Sequence, residues 1–282
     1  MIDCGDNEGQ RKFWNDKPGQ SWVKYDDVMN LRLENITDLL FGAVDGTSAS
    51  SGLDIGCGTG STTLKLLELL GEDSKVKGID ISEPMLSKAQ EKIHDTTSIS
   101  FIKADAQTFQ FPLGYFETVI SRFGVMFFDD PVKAFRNIRS AMSPSADLTF
   151  VCWAPFEKNE FFSLPLEVVT SFVGSVKDIE PHAPGPLAFS DIHYVKQVLN
   201  SADFSDIDIK ELETSIVTND PPEEDAEILM NIGFGARALR EAELDKSLRN
   251  RIYENFVKNS QDRYSDGLIR YSATINLVKA RA

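Results

Sequence analysis

Residues 51–60, Ser-Gly-Leu-Asp-Ile-Gly-Cys-Gly-Thr-Gly, constrain the fold of this chain more than any other stretch. Leu53, Asp54 and Ile55 suit a short buried strand, and Gly56, Gly58 and Gly60 suit a turn. Residues 63–70 then repeat apolar side chains at helical spacing. Glycines in such a turn accept positive φ and let a ligand press on the main chain without meeting a Cβ. The helix behind the turn offers unpaired amide groups to whatever sits there. Dinucleotide-binding folds also use a strand, a glycine turn and a helix, but with the spacing G-x-G-x-x-G. Here the spacing is G-x-G-x-G, and the strand carries an acid, Asp54.

The pattern Leu-Asp-Ile-Gly-Cys-Gly-Thr-Gly resembles the first motif of the class I S-adenosylmethionine-dependent methyltransferases. Downstream, strands and helices alternate. Residues 76–81 read as a strand ending in Asp80, and Ser82 as the N-cap of a helix with Pro84 in its first turn. Strands are expected at 99–103, 116–120 and 147–153, with a helix from Pro131 to about Met142. Repeated units of this length imply a parallel sheet with helices on both faces. Residues 155–190 are rich in proline and aromatic residues, and residues 220–265 are charged and helical. A helix over 191–201 and strands at 207–210 and 269–278 complete the pattern. The expected organisation is an N-terminal lid or helical segment (1–45), a cofactor-binding core (46–154), and a core-completing part (155–282) with insertions at 155–190 and 220–265.

In open α/β sheets, ligands bind beyond the carboxyl ends of the strands. Asp80, closing the second strand, can accept hydrogen bonds from the vicinal hydroxyls of a ribose. Ile81 and Met85 could cover an adenine face, although a methionine there also suits plain core packing. Asp105 or the Ala106 amide could read the adenine edge, or Asp105 could cap a helix. Arg122 and Phe123 follow the fourth strand, in line with the reacting end of such a cofactor. Arg122 could pair with a cofactor carboxylate or hold the loop to Asp129 or Asp130. Trp14 and Trp22 precede a helical pattern through residues 28–40 and suit either packing or a lid over the cofactor.

The likeness widens with Trp14…Gly19-x-x-Trp22, Gly-Ile-Asp-Ile-Ser at 78–82, Ser-Arg-Phe-Gly-Val-Met-Phe-Phe-Asp-Asp-Pro at 121–131, Phe-Val-Cys-Trp at 150–153 and Ala-Pro-Gly-Pro-Leu-Ala-Phe at 183–189. Together these look like a bacterial group similar to the ubiquinone/menaquinone-biosynthesis methyltransferases. The resemblance implies a Rossmann-like, seven-stranded, mostly parallel α/β sheet with its last strand antiparallel. It further implies S-adenosylmethionine across the first strands, with S-adenosylhomocysteine as product, and helical insertions as a substrate lid. It does not imply a substrate. Methyltransferases of DNA amino groups or glutamine carry a Pro-Pro-Tyr type motif after the fourth strand, where this chain has Ser121-Arg122-Phe123-Gly124.

A general base is needed only if the methyl acceptor must lose a proton. His94 ends a helix, His193 starts one, and His182 in the proline-rich loop is a weak candidate. Asp129 and Asp130 are alternatives, with capping the plainer role. The net charge of −15 and the lack of a Lys/Arg cluster disfavour nucleic acid as a partner. The aromatic first insertion suits a small apolar or aromatic acceptor. No run reaches the ~18 apolar residues of a membrane span, and the N-terminus has no signal-peptide pattern. Cys4, Cys57 and Cys152 are far apart, so neither disulfide nor metal site is expected, and the reducing cytoplasm is the default location. The lid helices could equally pack on a second subunit. Two rivals stand beside this reading. A nicotinamide-dependent oxidoreductase would need the dinucleotide spacing and a Tyr-x-x-x-Lys dyad, and a non-catalytic interaction protein would need a decayed cofactor site.

Overall fold

The computed structural model describes residues 7–45, 49–93, 97–175, 180–242 and 244–282. Cys4 and His94 lie outside the described residues. Four short helices come first: α1 (Glu8–Asn15), α2 (Lys17–Lys24), α3 (Asp26–Arg32) and α4 (Glu34–Ala43). The alternating part follows as β1 (Ser51–Ile55), α5 (Ser61–Leu70), β2 (Lys75–Asp80), α6 (Glu83–Glu91), β3 (Ile99–Lys103), β4 (Phe116–Arg122), α7 (Pro131–Ala141) and β5 (Met142–Trp153). Then come α8 (Glu160–Val173), α9 (Ile192–Ser201), β6 (Ser205–Thr218), α10 (Pro222–Leu229), α11 (Gly233–Glu241), α12 (Lys246–Arg263) and β7 (Ile269–Arg281).

The strands form one seven-stranded sheet in the order β3-β2-β1-β4-β5-β7-β6. The first five pair in parallel, and β7 runs antiparallel between β5 and β6. Every residue of β1 is buried. A strand buried without alternation is covered on both faces, and its polar side chains, Ser51 and Asp54, are buried with Leu53 and Ile55. The strand order reverses between β1 and β4, and the crevice at that switch point faces the carboxyl ends of both strands.

Local sequence sets the element boundaries. Pro131 opens α7 behind Asp130, whose carboxylate accepts from the Lys133 amide at 2.9 Å. The helix expected to reach Met142 stops one residue earlier, because Met142 already pairs with Phe116 as the start of β5. Strands β6 and β7 are longer than their sequence patterns, pairing from Ser205↔Arg281 to Thr218↔Ile269. The outer edge strand carries Asp206, Asp208, Lys210, Glu211 and Glu213. These charges guard the edge and blur its hydrophobic signal.

The single helical pattern at residues 28–40 breaks into α3 and α4 at Leu33. Arg32, at the end of α3, is fully buried. It donates to Asp225 Oδ1 at 2.5 Å and Asp220 Oδ2 at 2.7 Å. Asp225 also accepts from the Ser260 and Tyr271 hydroxyls. This ion network ties the N-terminal helices to the insertion between β6 and β7.

Candidate functional site

A cavity of about 600 Å³ lies over the carboxyl ends of β1, β2, β3 and β4. Residues of α1 to α3 cover one side of it, and residues of α8, α11 and the segment 184–186 cover the other.

The turn after β1 has positive φ at Gly56, Gly58 and Gly60. Its glycines serve the protein's own packing. A Cβ on Gly56 would stand 2.6 Å from Gly124 Cα, and one on Gly60 would stand 2.6 Å from the Phe101 ring. The missing Cβ atoms at Gly56 and Gly60 thus serve packing that the sequence did not show. At Gly56 the close approach is between two backbones, and at Gly60 between backbone and core. Gly58 is covered by Met85, whose Cε would be 2.8 Å from its Cβ. Gly56 and Gly58 line the cavity, whereas Gly60 and Asp54 do not.

Asp54 instead fastens the strand end to α5. Its Oδ2 accepts from the hydroxyls of Thr62 and Thr63, both at 2.7 Å. Burial pushes this carboxyl up to about 6, against the pull of the two threonines and Arg122. Asp80 stands at the cavity wall, with Oδ2 accepting from the Gly58 amide and Oδ1 from the Ser82 amide, each at 2.8 Å. Burial pushes its carboxyl up as well, opposed by those amides. Each oxygen keeps a lone pair for another donor.

Asp105 caps a turn, not the helix that the sequence suggested as an alternative. Its Oδ1 accepts from the Gln107 amide at 2.9 Å and from Asn7 Nδ2 at 3.0 Å, which caps the turn after β3. Its Oδ2 is buried with no hydrogen-bond partner. A buried acceptor left open at a cavity wall is costly unless a donor arrives. Ala106 and Ile81 line the cavity beside it.

Arg122 does not reach Asp129 or Asp130, so that alternative is corrected. Its guanidinium donates to Thr37 Oγ1 and Asn30 Oδ1, both at 2.7 Å. Burial pushes it down, while Asp54 and Asp26 draw it up. The Asp129 amide donates to Asn7 Oδ1 at 2.6 Å, and Asp130 caps α7. Phe123 sits at φ 64°, a strained value for a bulky residue, and its ring stacks on Trp153 with centroids 4.1 Å apart.

Trp14 and Trp22 both line the cavity. The Trp14 carbonyl accepts from Ser82 Oγ at 2.7 Å. Asn15 bridges the Ile81 carbonyl and the Glu83 amide at 3.0 and 2.9 Å. The N-terminal helices are thus bolted to the junction of β2 and α6, which brings the tryptophans to the site.

Several lining residues had no sequence signal. Asp26 is buried against the glycine turn, where it accepts from Thr59 and Asn30 and pairs with Lys92 at 2.6 Å. Away from the strand ends, the wall is aromatic. The Trp153 and Phe162 rings meet edge-on at 4.9 Å, and Phe162 and Phe234 at 5.0 Å. Phe161, Met29 and Leu33 join them, with Arg237, Arg240 and Glu241 further along α11. Only spatial assembly collects these residues, which come from four separate stretches.

His182 is not among the lining residues, although Pro184, Gly185 and Pro186 of its loop are. Its ring stacks on Tyr194 at 3.7 Å and its Nε2 is 3.9 Å from Asp191. His193 sits in the first turn of α9. Cys57 is buried, and burial pushes its thiol well above the usual range, as packing requires. Among the described residues, no group of three or more His, Cys, Asp or Glu side chains could hold a metal, and no helix is long and apolar enough to cross a membrane.

Residues 53–145 match the family model described as "Methyltransferase domain". The ubiquinone/menaquinone biosynthesis C-methyltransferase of Photorhabdus laumondii is 31% identical over 135 residues, covering 45% of this chain and 53% of that protein. The chain spans about half the length, or less, of the curated relatives it matches. In fold it is similar to phosphoethanolamine N-methyltransferase 2 of Haemonchus contortus, solved with phosphomonomethylethanolamine and S-adenosylhomocysteine (17% identity, 89% of this chain and 52% of that one, TM-score 0.52). It is also similar to an S-adenosylmethionine-dependent methyltransferase of Aquifex aeolicus (20% identity, 68% of this chain and 89% of that one, TM-score 0.50). The glycine turn, the acid closing β2 and the matched span together identify residues 53–145 as a methyltransferase domain of the class I S-adenosylmethionine-dependent kind, similar over the shared stretch to the ubiquinone/menaquinone biosynthesis enzymes.

Proposed function

We propose that this chain moves a methyl group from S-adenosylmethionine to a small acceptor with an apolar or aromatic body. The observation that carries this reading is one cavity joining a polar end, at the strand termini, to an aromatic end under α8 and α11. Residues 1–45 would act as a lid, 46–154 as the cofactor-binding core and 155–282 as its completion with acceptor-recognition insertions.

S-adenosylmethionine supplies an activated methyl group on a sulfonium. The residues that would hold it are Asp80 for the ribose hydroxyls, Asp105 Oδ2 or the Ala106 amide for the adenine edge, and Ile81 and Met85 for the adenine face. Arg122 and Phe123 would face its other end, with Trp14 and Trp22 as cover. The open acceptor atom of Asp105 and the spare lone pairs of Asp80 fit that group. When bound, it would supply a methyl carbon open to in-line attack by the electron-rich atom of the acceptor, with the neutral thioether as leaving group. The protein lowers the barrier by positioning and by excluding water, and its aromatic wall supplies both. No histidine lines the cavity among the described residues, so an acceptor that needs no strong base suits this site. The relatives named for ubiquinone/menaquinone biosynthesis support a flat acceptor, which a stack such as Phe123 on Trp153 would complement.

The test is calorimetric titration of the full chain with S-adenosylmethionine, S-adenosylhomocysteine and NAD. Both sulfur compounds should bind and NAD should not. Folded protein that binds neither sulfur compound would sink the reading and favour a non-catalytic scaffold.

A further inference from the structure

Three arginines line the cavity, and two of them are already engaged. Arg122 donates to Thr37 and Asn30. Arg237 pairs with Glu241 one turn along α11, Nε to Oε1 at 2.9 Å. Arg240 makes no hydrogen bond or ion pair among the described residues. Arg240 is solvent-exposed at the cavity wall, where some desolvation and the charge of Arg237 push its guanidinium down while Glu241 draws it up.

Its placement gives that charge a direction. The cavity-lining positions of α11 recur at helical spacing, from Phe234 through Arg237 to Arg240, so one face of the helix looks inward. Phe234 reaches the aromatic cluster around Phe162. Arg240 lies six residues on, roughly 9 Å along the axis at the α-helical rise. Because Arg237 and Glu241 pair with each other, Arg240 is the charge left without an ion-pair partner at this end of the wall among the described residues. A guanidinium matches the oxygens of a carboxylate or phosphate in a planar, two-pronged way.

From this geometry we propose that the methyl acceptor is an aromatic or apolar acid whose anionic group pairs with Arg240 while its body lies against Phe162 and Phe234. The proposal rests on the methyltransferase reading and specifies its acceptor class. Carboxylate and phosphate share the recognising chemistry, and the experiment separates them.

The full chain, saturated with S-adenosylhomocysteine, is titrated with 2-naphthoate, 2-naphthyl phosphate and 2-naphthalenemethanol. At least one anion should bind roughly tenfold or more tightly than the alcohol, in keeping with one charge-assisted contact. The tighter of the two anions identifies the group. Arg240→Gln should bring that anion to the level of the alcohol and leave the alcohol and S-adenosylhomocysteine affinities as they were. Arg237→Gln should keep most of the preference. Equal binding of alcohol and anions, a preference that survives Arg240→Gln, or no binding of any naphthalene probe would overturn the inference. In each of these cases binding of S-adenosylhomocysteine leaves the methyltransferase reading standing, whereas its failure to bind strikes at that reading instead.

Discussion

The two ends of the cavity are built on opposite plans. The proposed cofactor end is made of strand termini, where short polar contacts converge from consecutive turns: Asp80 on the Gly58 and Ser82 amides, Asp105 on Gln107 and Asn7. The proposed acceptor end is made of side chains from α8, α11, the end of β5 and residues 184–186, held by ring contacts. The first plan needs particular residues at particular turns and so leaves a motif. The second needs only bulk and shape, which many sequences supply, so it leaves none. On the proposed reading, chemistry common to a fold sits in the first and specificity in the second.

The largest effect should come from the ion network that ties the N-terminal helices to the insertion between β6 and β7. Arg32→Ala leaves Asp225 and Asp220 buried without their cation, which should destabilise the fold by about 3–5 kcal/mol in a urea titration. Limited proteolysis of that variant should open residues 220–265 before the glycine-turn core. Simultaneous cutting at both would show that the two ends fold as one unit. Next in size, Asp80→Ala should weaken S-adenosylhomocysteine binding by roughly 1.5–3 kcal/mol, the range for hydrogen bonds to a charged group. An unchanged affinity would remove Asp80 from the cofactor end.

A smaller effect separates stability from binding. Burial holds the folded Asp54 carboxyl at about 6, above its ordinary 3.8. Because the folded pKa is the higher one, the native state binds the proton more tightly. Its stabilising contribution is present below 3.8 and lost as pH rises through about 6. Asp54→Asn, which keeps an acceptor for Thr62 and Thr63, should therefore gain stability relative to wild type between pH 4.5 and 7.5. The expected gain is on the order of 1–2 kcal/mol, as the amide is never ionised. Thermal melts at the two pH values test this. A constant difference would mean that Asp54 stays neutral or is solvated in the folded chain.

The sequence alone determined the alternating α/β order, the glycine turn and the acid that closes β2. Each of these follows from local rules: periodicity, turn chemistry, and an acid or amide at the end of a strand. Sequence also pointed to the aromatic insertion as a site region without saying which of its rings would meet. Tertiary structure decided the rest. Asp54 and Gly60 look like binding residues in the motif, yet they face Thr62, Thr63 and Phe101 behind the turn. His182, exposed on its loop, turned to Tyr194 instead of the cavity. Asp26 of α3 and Arg240 of α11 came to the site from helices far apart in the chain. No local pattern encodes that meeting, because it depends on which helix faces pack together and on the cost of leaving Arg32 or Asp225 buried alone.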